Sequence, residues 1–320
     1  MIERIFVFES SGFDPYRNIA IEKYLLENVE NDCCILYLWQ NQHTVVIGRN
    51  QNAWSECRTS LLEQEGGHLA RRLSGGGAVY HDLGNLNFTF IMPDEDYDVD
   101  KQLSVIQSAC QQLGIRTEKS GRNDLLADGQ KFSGNAFYHA QGKAYHHGTL
   151  LVNADMDMLS RYLTPPKAKL EAKGVKSVRS RVTNLNSLCP GLTCEELKSQ
   201  LITAFGSIYG HTPQALTLEN SAETQIAQDA ATLSGWDWLY GKQTPFSFAC
   251  EDRFDWGYIQ LQLQIESGTV IHAEVYSDAM DWHLPKAVAD QLTGCRFVLP
   301  ELEKALSAYP DVLKLILRNI

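Results

Sequence analysis

The sequence holds no apolar run approaching the roughly 18–20 residues of a membrane span. Its longest, CCILYLW at Cys33–Trp39, has the length of a strand. The opening stretch, MIERIFVFESSGFDP, lacks a basic segment followed by a long apolar one, so no secretory signal is expected. The chain is accordingly expected in the cytoplasm, without a membrane partner. Its eight cysteines (Cys33, Cys34, Cys57, Cys110, Cys189, Cys194, Cys250 and Cys295) form no CxxC and no metal-ligand spacing with histidine. In a reducing compartment they read as small buried apolar residues. Positive charge is scarce: 28 Lys and Arg against 39 Asp and Glu leave a net charge of −11. That opposes general nucleic-acid binding, which needs a basic surface to displace counterions. It leaves room for small anions, because a local basic pocket can sit in an acidic protein. Internal repeats and low-complexity segments are absent. Two familiar phosphate loops are missing as well. There is no GxxxxGK[ST], and no GxGxxG leads from a strand into a helix.

What is present is a globular composition, 44% hydrophobic and 21% charged over 320 residues. FDPYRNIAIEKYLLENVE (Phe13–Glu30) reads as a helix, with Asp14 as N-cap, Pro15 in the first turn, and an apolar face of Ile19, Leu25, Leu26 and Val29. CCILYLW and HTVVIGRN follow as strands, and SECRTSLLEQEGG as a short helix ended by glycine. HLARRLSGGG leads into AVYHD, so three consecutive glycines fall between strands, and NLNFTFIMP is the next strand. Asp98–Ile115 is an amphipathic helix. Ser120–Asn153 reads as three short strands joined by glycine turns, and MDMLSRYL and Cys194–Gly210 as helices. Gly235–Cys250 lacks a clear period and marks a boundary. Beyond it YIQLQLQI and TVIHAEVYS form a hairpin followed by two or three helices, which suits a small α+β domain.

The chemistry gathers around RRLSGGGAVYH. Glycine lets the backbone approach a ligand closely and turn its N–H groups into a concave anion site. Arg71 and Arg72 stand immediately upstream, each with a planar donor fork suited to phosphate or carboxylate. In GRNDLLADGQKFSG, Asn123 and Asp124 offer oxygen ligands of the kind Mg²⁺ prefers. Lys131 follows a glycine turn and could neutralise charge developing at phosphorus. His146 and His147 are adjacent on a strand and must face opposite ways. A basic run, Lys167, Lys169, Lys173, Lys176, Arg179 and Arg181, reverses the sign of the chain locally. Each cluster alone has a bland reading: a mobile turn, a surface lysine, a structural histidine, a solvated charge run. Together they suggest a nucleotide site without naming its reaction.

In order and spacing these residues resemble the lipoate–protein ligase family. RRLSGGGAVYHDLGN is similar to its RRxSGGGxVxHDxGN signature, and GRNDL, KFSGNA, HHGTLL and KGVKSVRSRVTNL follow. The match runs from about Phe13 to Leu185. Phe132 departs from it, standing where a smaller aliphatic residue commonly follows the lysine, and is expected to reshape the pocket wall slightly. The resemblance implies an α/β (α+β) catalytic domain of the biotin/lipoyl protein ligase type with a mixed sheet, residues 1–245, and a small α+β accessory domain, residues 250–320. It implies that (R)-lipoate and Mg-ATP give lipoyl-AMP and pyrophosphate. The acyl group then moves to a lysine of lipoyl domains on 2-oxoacid dehydrogenase E2 subunits or the glycine cleavage H protein.

Carried over by position, the resemblance makes Lys131 catalytic. It assigns Arg72, Gly77, Ala78, Val79, Tyr80, Asn123, Asp124 and Lys131 to ATP, and Asp124 to Mg²⁺. Arg71, Ser74, Gly76, Lys131 and His147 go to lipoate, and Lys173, Arg179 and Arg181 to a loop over the adenylate. The chain is expected to act as a monomer. Two superfamily alternatives fit less well: biotin ligases carry a GRGRxG-type loop, and octanoyl transferases need a cysteine nucleophile and no ATP. None of the eight cysteines falls in these loops. A non-catalytic lipoate-binding protein is a third reading, against which Arg72, Gly77 and Lys131 stand.

Overall fold

A computed structural model of the chain describes residues 1–49, 51, 53–120, 124–163, 182–241, 246–279, 281 and 283–320. It falls into two compact units, residues 1–49 with 67–234, and residues 50–66 with 235–320. This grouping differs from the boundary expected near residue 245 in two places: the second unit begins at Gly235, and it also takes residues 50–66, after which the chain returns to the first.

The first unit is built on strands β1 (Arg4–Glu9), β2 (Cys33–Trp39), β3 (Thr44–Ile47), β4 (His68–Arg71), β5 (Val79–His81), β6 (Asn85–Pro93), β7 (Thr117–Ser120), β8 (Asp124–Ala127), β9 (Gln130–Ala140), β10 (Lys143–Leu151) and β11 (Gln214–Ala215). Eight of them form one mixed sheet in the order β11-β1-β2-β6-β10-β9-β8-β7. The β1 pairings are parallel and the rest antiparallel. The mixed α/β class read from the sequence is what the structure has. The region read as three short strands contains two long ones, β9 and β10, joined at Gln141–Gly142, with β8 before them.

Helices cover this sheet on both faces. The Val99–Gln112 and Cys194–Tyr209 helices close one side over a core that includes Leu36, Phe88, Phe90, Ile106, Phe132 and Phe205. The Pro15–Asn28 helix packs on the other side, held by the Asn220–Ser234 helix through Lys23–Asp229 and Arg17–Glu223 ion pairs. Its start is as the sequence predicts, since Asp14 accepts from the N–H groups of Tyr16 and Arg17 and Pro15 needs no partner. Double coverage explains why β2 and β6 are buried at every residue, a pattern expected of strands sealed on both faces. Strands β4-β3-β5 form a separate small sheet, and the three glycines hang between β4 and β5.

The second unit carries an antiparallel sheet of β12 (Phe246–Phe254), β13 (Gly257–Glu266) and β14 (Thr269–Ser277), with helices Leu284–Leu292, Leu299–Ala305 and Pro310–Leu317. The predicted hairpin is β13–β14, and β12 adds a strand the sequence reading took for irregular boundary. Residues 50–66 are anchored in this unit by Trp54, which stacks on Tyr240 at 5.2 Å and meets the edge of Phe297 at 5.4 Å. Among the described residues no helix is long and apolar enough to cross a membrane.

Candidate active site

Arg72 is the hub of the glycine loop. Its Nε donates to Ser74 Oγ and the Gly75 carbonyl, both at 3.1 Å, and its Nη2 donates to the carbonyls of Gly75 and Gly77, both at 2.7 Å. Nη1 reaches the Val46 carbonyl on the floor strand at 3.2 Å. Burial lowers the pKa of this guanidinium to about 10, so it stays charged near neutrality. Because a trans peptide points its N–H opposite to its C=O, carbonyls drawn onto Arg72 turn the amides that follow them outward. Gly75, Gly76 and Gly77 are exposed, and no acceptor among the described residues meets their N–H groups. The loop is thus a set of outward amides fastened from behind by one buried cation. Gly76 has φ +93°, a conformation that suits glycine.

The loop lies against β9. A Cβ at Gly76 would sit 3.8 Å from that of Ala136, and Ala136 is the cross-strand partner of His147. Cross-strand partners share a face, so Gly134, Ala136 and His147 all lie on the side of the sheet that carries the Pro15–Asn28 helix. A β-bulge brings Lys131 to this same face. Asp124 pairs with Gly134 and Leu125 with Ser133, but Leu126 pairs with Lys131, which leaves Phe132 as the extra residue. Simple alternation would have put Lys131 on the opposite side from Gly134; the bulge reverses its parity. Asp124 and Lys131 then meet at 2.7 Å, each about a third exposed. The Phe132 ring goes wholly into the core behind the sheet. It therefore packs the core behind this face, where the sequence reading expected it in the pocket wall.

Deeper on this face lies a buried polar chain. Ser74 Oγ is 2.8 Å from His147 Nε2, and His147 Nδ1 is 2.8 Å from Glu22 Oε1. Thr89 donates to the same carboxylate oxygen at 2.7 Å, and Trp39 Nε1 donates to Thr89 at 3.0 Å. Glu22 is fully buried, and its Oε2 has no protein partner among the described residues; the buried Tyr145 hydroxyl, beside His147, lies close to Ser74. An orphaned carboxylate oxygen in a polar pocket marks a place where a ligand or water belongs. The sequence reading found His147 and Ser74 but missed Glu22, Thr89, Trp39 and Tyr145. Glu22 had a signal: it falls three residues after Ile19 and three before Leu25, a charge inside an apolar stripe.

His146 faces the other way, as adjacency on a strand requires, and contacts Gln102 Oε1 at 2.9 Å and Asn135 Oδ1 at 2.8 Å. Burial lowers its pKa to about 3. The neutral ring has one N–H, so one of the two amides turns its NH₂ toward the ring. Arg71 donates to the carbonyls of Gly48 and Arg49 at 3.1 and 3.0 Å, and so holds the segment that backs the glycine loop. Tyr80 is buried on β5 and stacks at an angle on Tyr162, whose hydroxyl meets His43 Nε2 at 2.9 Å. Ala78 and Val79 lead from the glycines into β5. Asn123, Lys173, Arg179 and Arg181 lie outside the described residues. The exit from the basic run is tied to the site, because the Thr183 N–H donates to the Lys131 carbonyl at 2.9 Å. The Asp124 carboxylate beside Lys131 is a hard oxygen donor of the kind Mg²⁺ takes. Cys110 is fully buried and pushed up to about 12, so it offers no thiolate here.

A family model described as the lipoyl protein ligase A/B catalytic domain matches residues 14–206. One described as the bacterial lipoate protein ligase C-terminus matches residues 243–317. Among solved structures, LipL1 of P. falciparum in complex with lipoate is 28% identical with a TM-score of 0.65, covering 98% of this chain and 99% of that one. A bipartite lipoate protein ligase of the archaeon Thermoplasma acidophilum, described with its E2 lipoyl domain, is 28% identical with a TM-score of 0.66, over 75% of this chain and 96% of that one. A lipoate-protein ligase A bound with ATP is 26% identical with a TM-score of 0.65, over 75% and 98%.

Proposed function

The chain belongs to the lipoyl protein ligase A/B catalytic domain family, and from that premise we propose that it is an ATP-dependent lipoate–protein ligase. In the first half-reaction a lipoate carboxylate oxygen bonds to the α-phosphorus of ATP, the bond to the β-phosphate oxygen breaks, and pyrophosphate leaves. In the second, the amine of an acceptor lysine attacks the acyl carbonyl, AMP leaves, and the amine gives up a proton. The acceptors are lipoyl domains of 2-oxoacid dehydrogenase E2 subunits or the glycine cleavage H protein, in keeping with the archaeal relative described with its E2 lipoyl domain.

The observation that carries this reading is the shared face. Asp124, Lys131, Ala136 and His147 lie on one side of the sheet, and the outward amides of the glycine loop rest against it. Bringing a carboxylate to a phosphate joins two anions. The Lys131 ammonium is the mobile cation between them, lowering their repulsion as the new bond forms. The amides of Gly76, Gly77 and Ala78 receive phosphate oxygens, with Arg72 holding their geometry from behind. Asp124 would hold a Mg²⁺ ion, which supplies further neutralisation of the phosphates. His147, Ser74 and Glu22 line the acyl end. Lys173, Arg179 and Arg181 cover the adenylate.

The test is ATP–pyrophosphate exchange across a panel of carboxylic acids. Lipoate should drive exchange, and transfer to a purified lipoyl domain should follow. Exchange that no carboxylate stimulates would sink the reading.

A further inference from the structure

Gly134 stands at the point where Lys131 lies down on the sheet. An ideal Cβ built there would be 2.9 Å from Lys131 Nζ and 3.1 Å from its Cε. Ordinary contact begins near ~3.5 Å, so the ammonium would have to withdraw by about half an ångström. Nothing else is in the way: the next atom, Thr149 Oγ1, is at 3.9 Å, and the Gly134 φ is not in the left-handed region. The backbone conformation therefore does not demand glycine at 134, and a Cβ there would crowd only the lysine. Asp124 is the cross-strand partner of Gly134, so this space is also where the Lys131–Asp124 pair closes at 2.7 Å.

We propose that Gly134 is a positioning residue for Lys131, the missing side chain setting how closely the ammonium approaches the sheet, Asp124 and the reacting anions. The inference rests on the proposed role of Lys131. The bulge at Phe132 turns the lysine to this face, and Gly134 fixes its depth there. A displacement of about 1 Å at a reacting group can cost on the order of 10²-fold in rate. Gly134→Ala applies about half that displacement to the tip of Lys131.

The experiment combines two readouts on Gly134→Ala in the full chain. Competitive labelling of lysines by acetic anhydride, read by mass spectrometry, should show Lys131 several-fold more reactive relative to the other lysines, because it has left Asp124. Lipoate-dependent pyrophosphate exchange should fall by roughly tenfold or more in kcat, with the thermal midpoint unmoved. Unchanged Lys131 labelling overturns the proposal whatever the activity does. Increased labelling with undiminished exchange overturns the role of Lys131 in the reaction, and with it the proposed mechanism. A further arm covers the case in which the variant unfolds. In a Lys131→Ala background, which removes both Nζ and Cε, the added methyl should cost no stability. If Gly134→Ala still destabilises that background, the clash lies elsewhere and the proposal falls.

Discussion

His147 Nε2 lies 2.8 Å from Ser74 Oγ although 73 residues of chain separate them. Glu22 holds the other ring nitrogen, so the imidazole carries its proton on Nδ1 and offers Nε2 to the serine hydroxyl. Ser74 in turn receives Arg72 Nε. One continuous set of hydrogen bonds thus runs from a helix on the sheet to the first turn of the glycine loop, and it fixes where the loop stands.

Breaking that set at its buried end should be costly. Glu22→Ala removes the acceptor of both His147 and Thr89 and leaves two buried donors unmet. We expect a loss of about 2–4 kcal/mol in urea denaturation. Glu22→Gln, which keeps an acceptor oxygen, should recover most of it. The lipoate affinity of Glu22→Ala should fall with ATP affinity little changed; equal loss of both would argue that Glu22 acts only on the fold.

Lys131→Ala should abolish lipoyl-adenylate formation with the fold retained, since the side chain is about a third exposed and packs no core. Loss of one such electrostatic contact typically costs about 10²–10³ in rate. Near-normal lipoate-dependent pyrophosphate exchange in this variant would remove Lys131 from the chemistry.

Neighbouring glycines should respond differently to alanine. At Gly76 the φ of +93° disfavours a side chain, and its Cβ would meet Arg72 Nη2 at 2.9 Å. We expect Gly76→Ala to lose about 1–3 kcal/mol and to weaken ATP binding. At Gly75 a Cβ meets nothing within 4 Å, so Gly75→Ala should leave the denaturation midpoint in place. Equal effects on stability would mean that the loop is not fastened by Arg72 in the way described.

Acid should destabilise the fold through two histidines. Burial lowers the pKa of His81 and of His146 from 6.5 to about 3, with Arg72 and His147 adding to the effect on His81 and His147 to that on His146. Both are neutral in the folded state, while the unfolded chain binds their protons near 6.5. Their contribution is therefore fully present above that pH and is lost as pH falls from about 6.5 toward 3. At pH 5 the loss is about 2 kcal/mol per histidine. Asp32, held below its usual range by Arg4, titrates beneath this window. Urea denaturation between pH 4 and 6 should show uptake of nearly two protons on unfolding, and one fewer in His146→Gln. An unchanged slope in that variant would show that His146 titrates normally in the fold.

Much of this was readable in one dimension because it depends on neighbours in the chain. The Asp14–Pro15 start of the first helix, the all-apolar β2, the turn at Gly142 and the placement of three glycines between strands follow from backbone rules that act over a few residues. The opposed faces of His146 and His147 follow from the pleat alone. The motif order around Arg72 and Lys131 was legible for the same reason. By contrast β12 was hidden in a stretch of mixed Gly, Pro and aromatic residues, where pairing with β13 overrides local preference.

Sequence alone names the groups that are available: glycine amides, two arginines, a lysine, a carboxylate and a histidine, in family order. What the tertiary structure alone decided was their orientation. Arg71 and Arg72 look equivalent as letters, yet Arg72 clasps the loop while Arg71 ties down Gly48 and Arg49, because Arg71 ends β4 and the residue that follows it points to the opposite side. Lys131 reads by alternation as lying across the sheet from Gly134, and a one-residue bulge brings it back over that glycine. Glu22 is a charge inside an apolar stripe, and only the sheet that closes over it gives it His147 and Thr89. Each of these outcomes depends on strand register or on burial by a distant element, and neither quantity exists until the chain has folded.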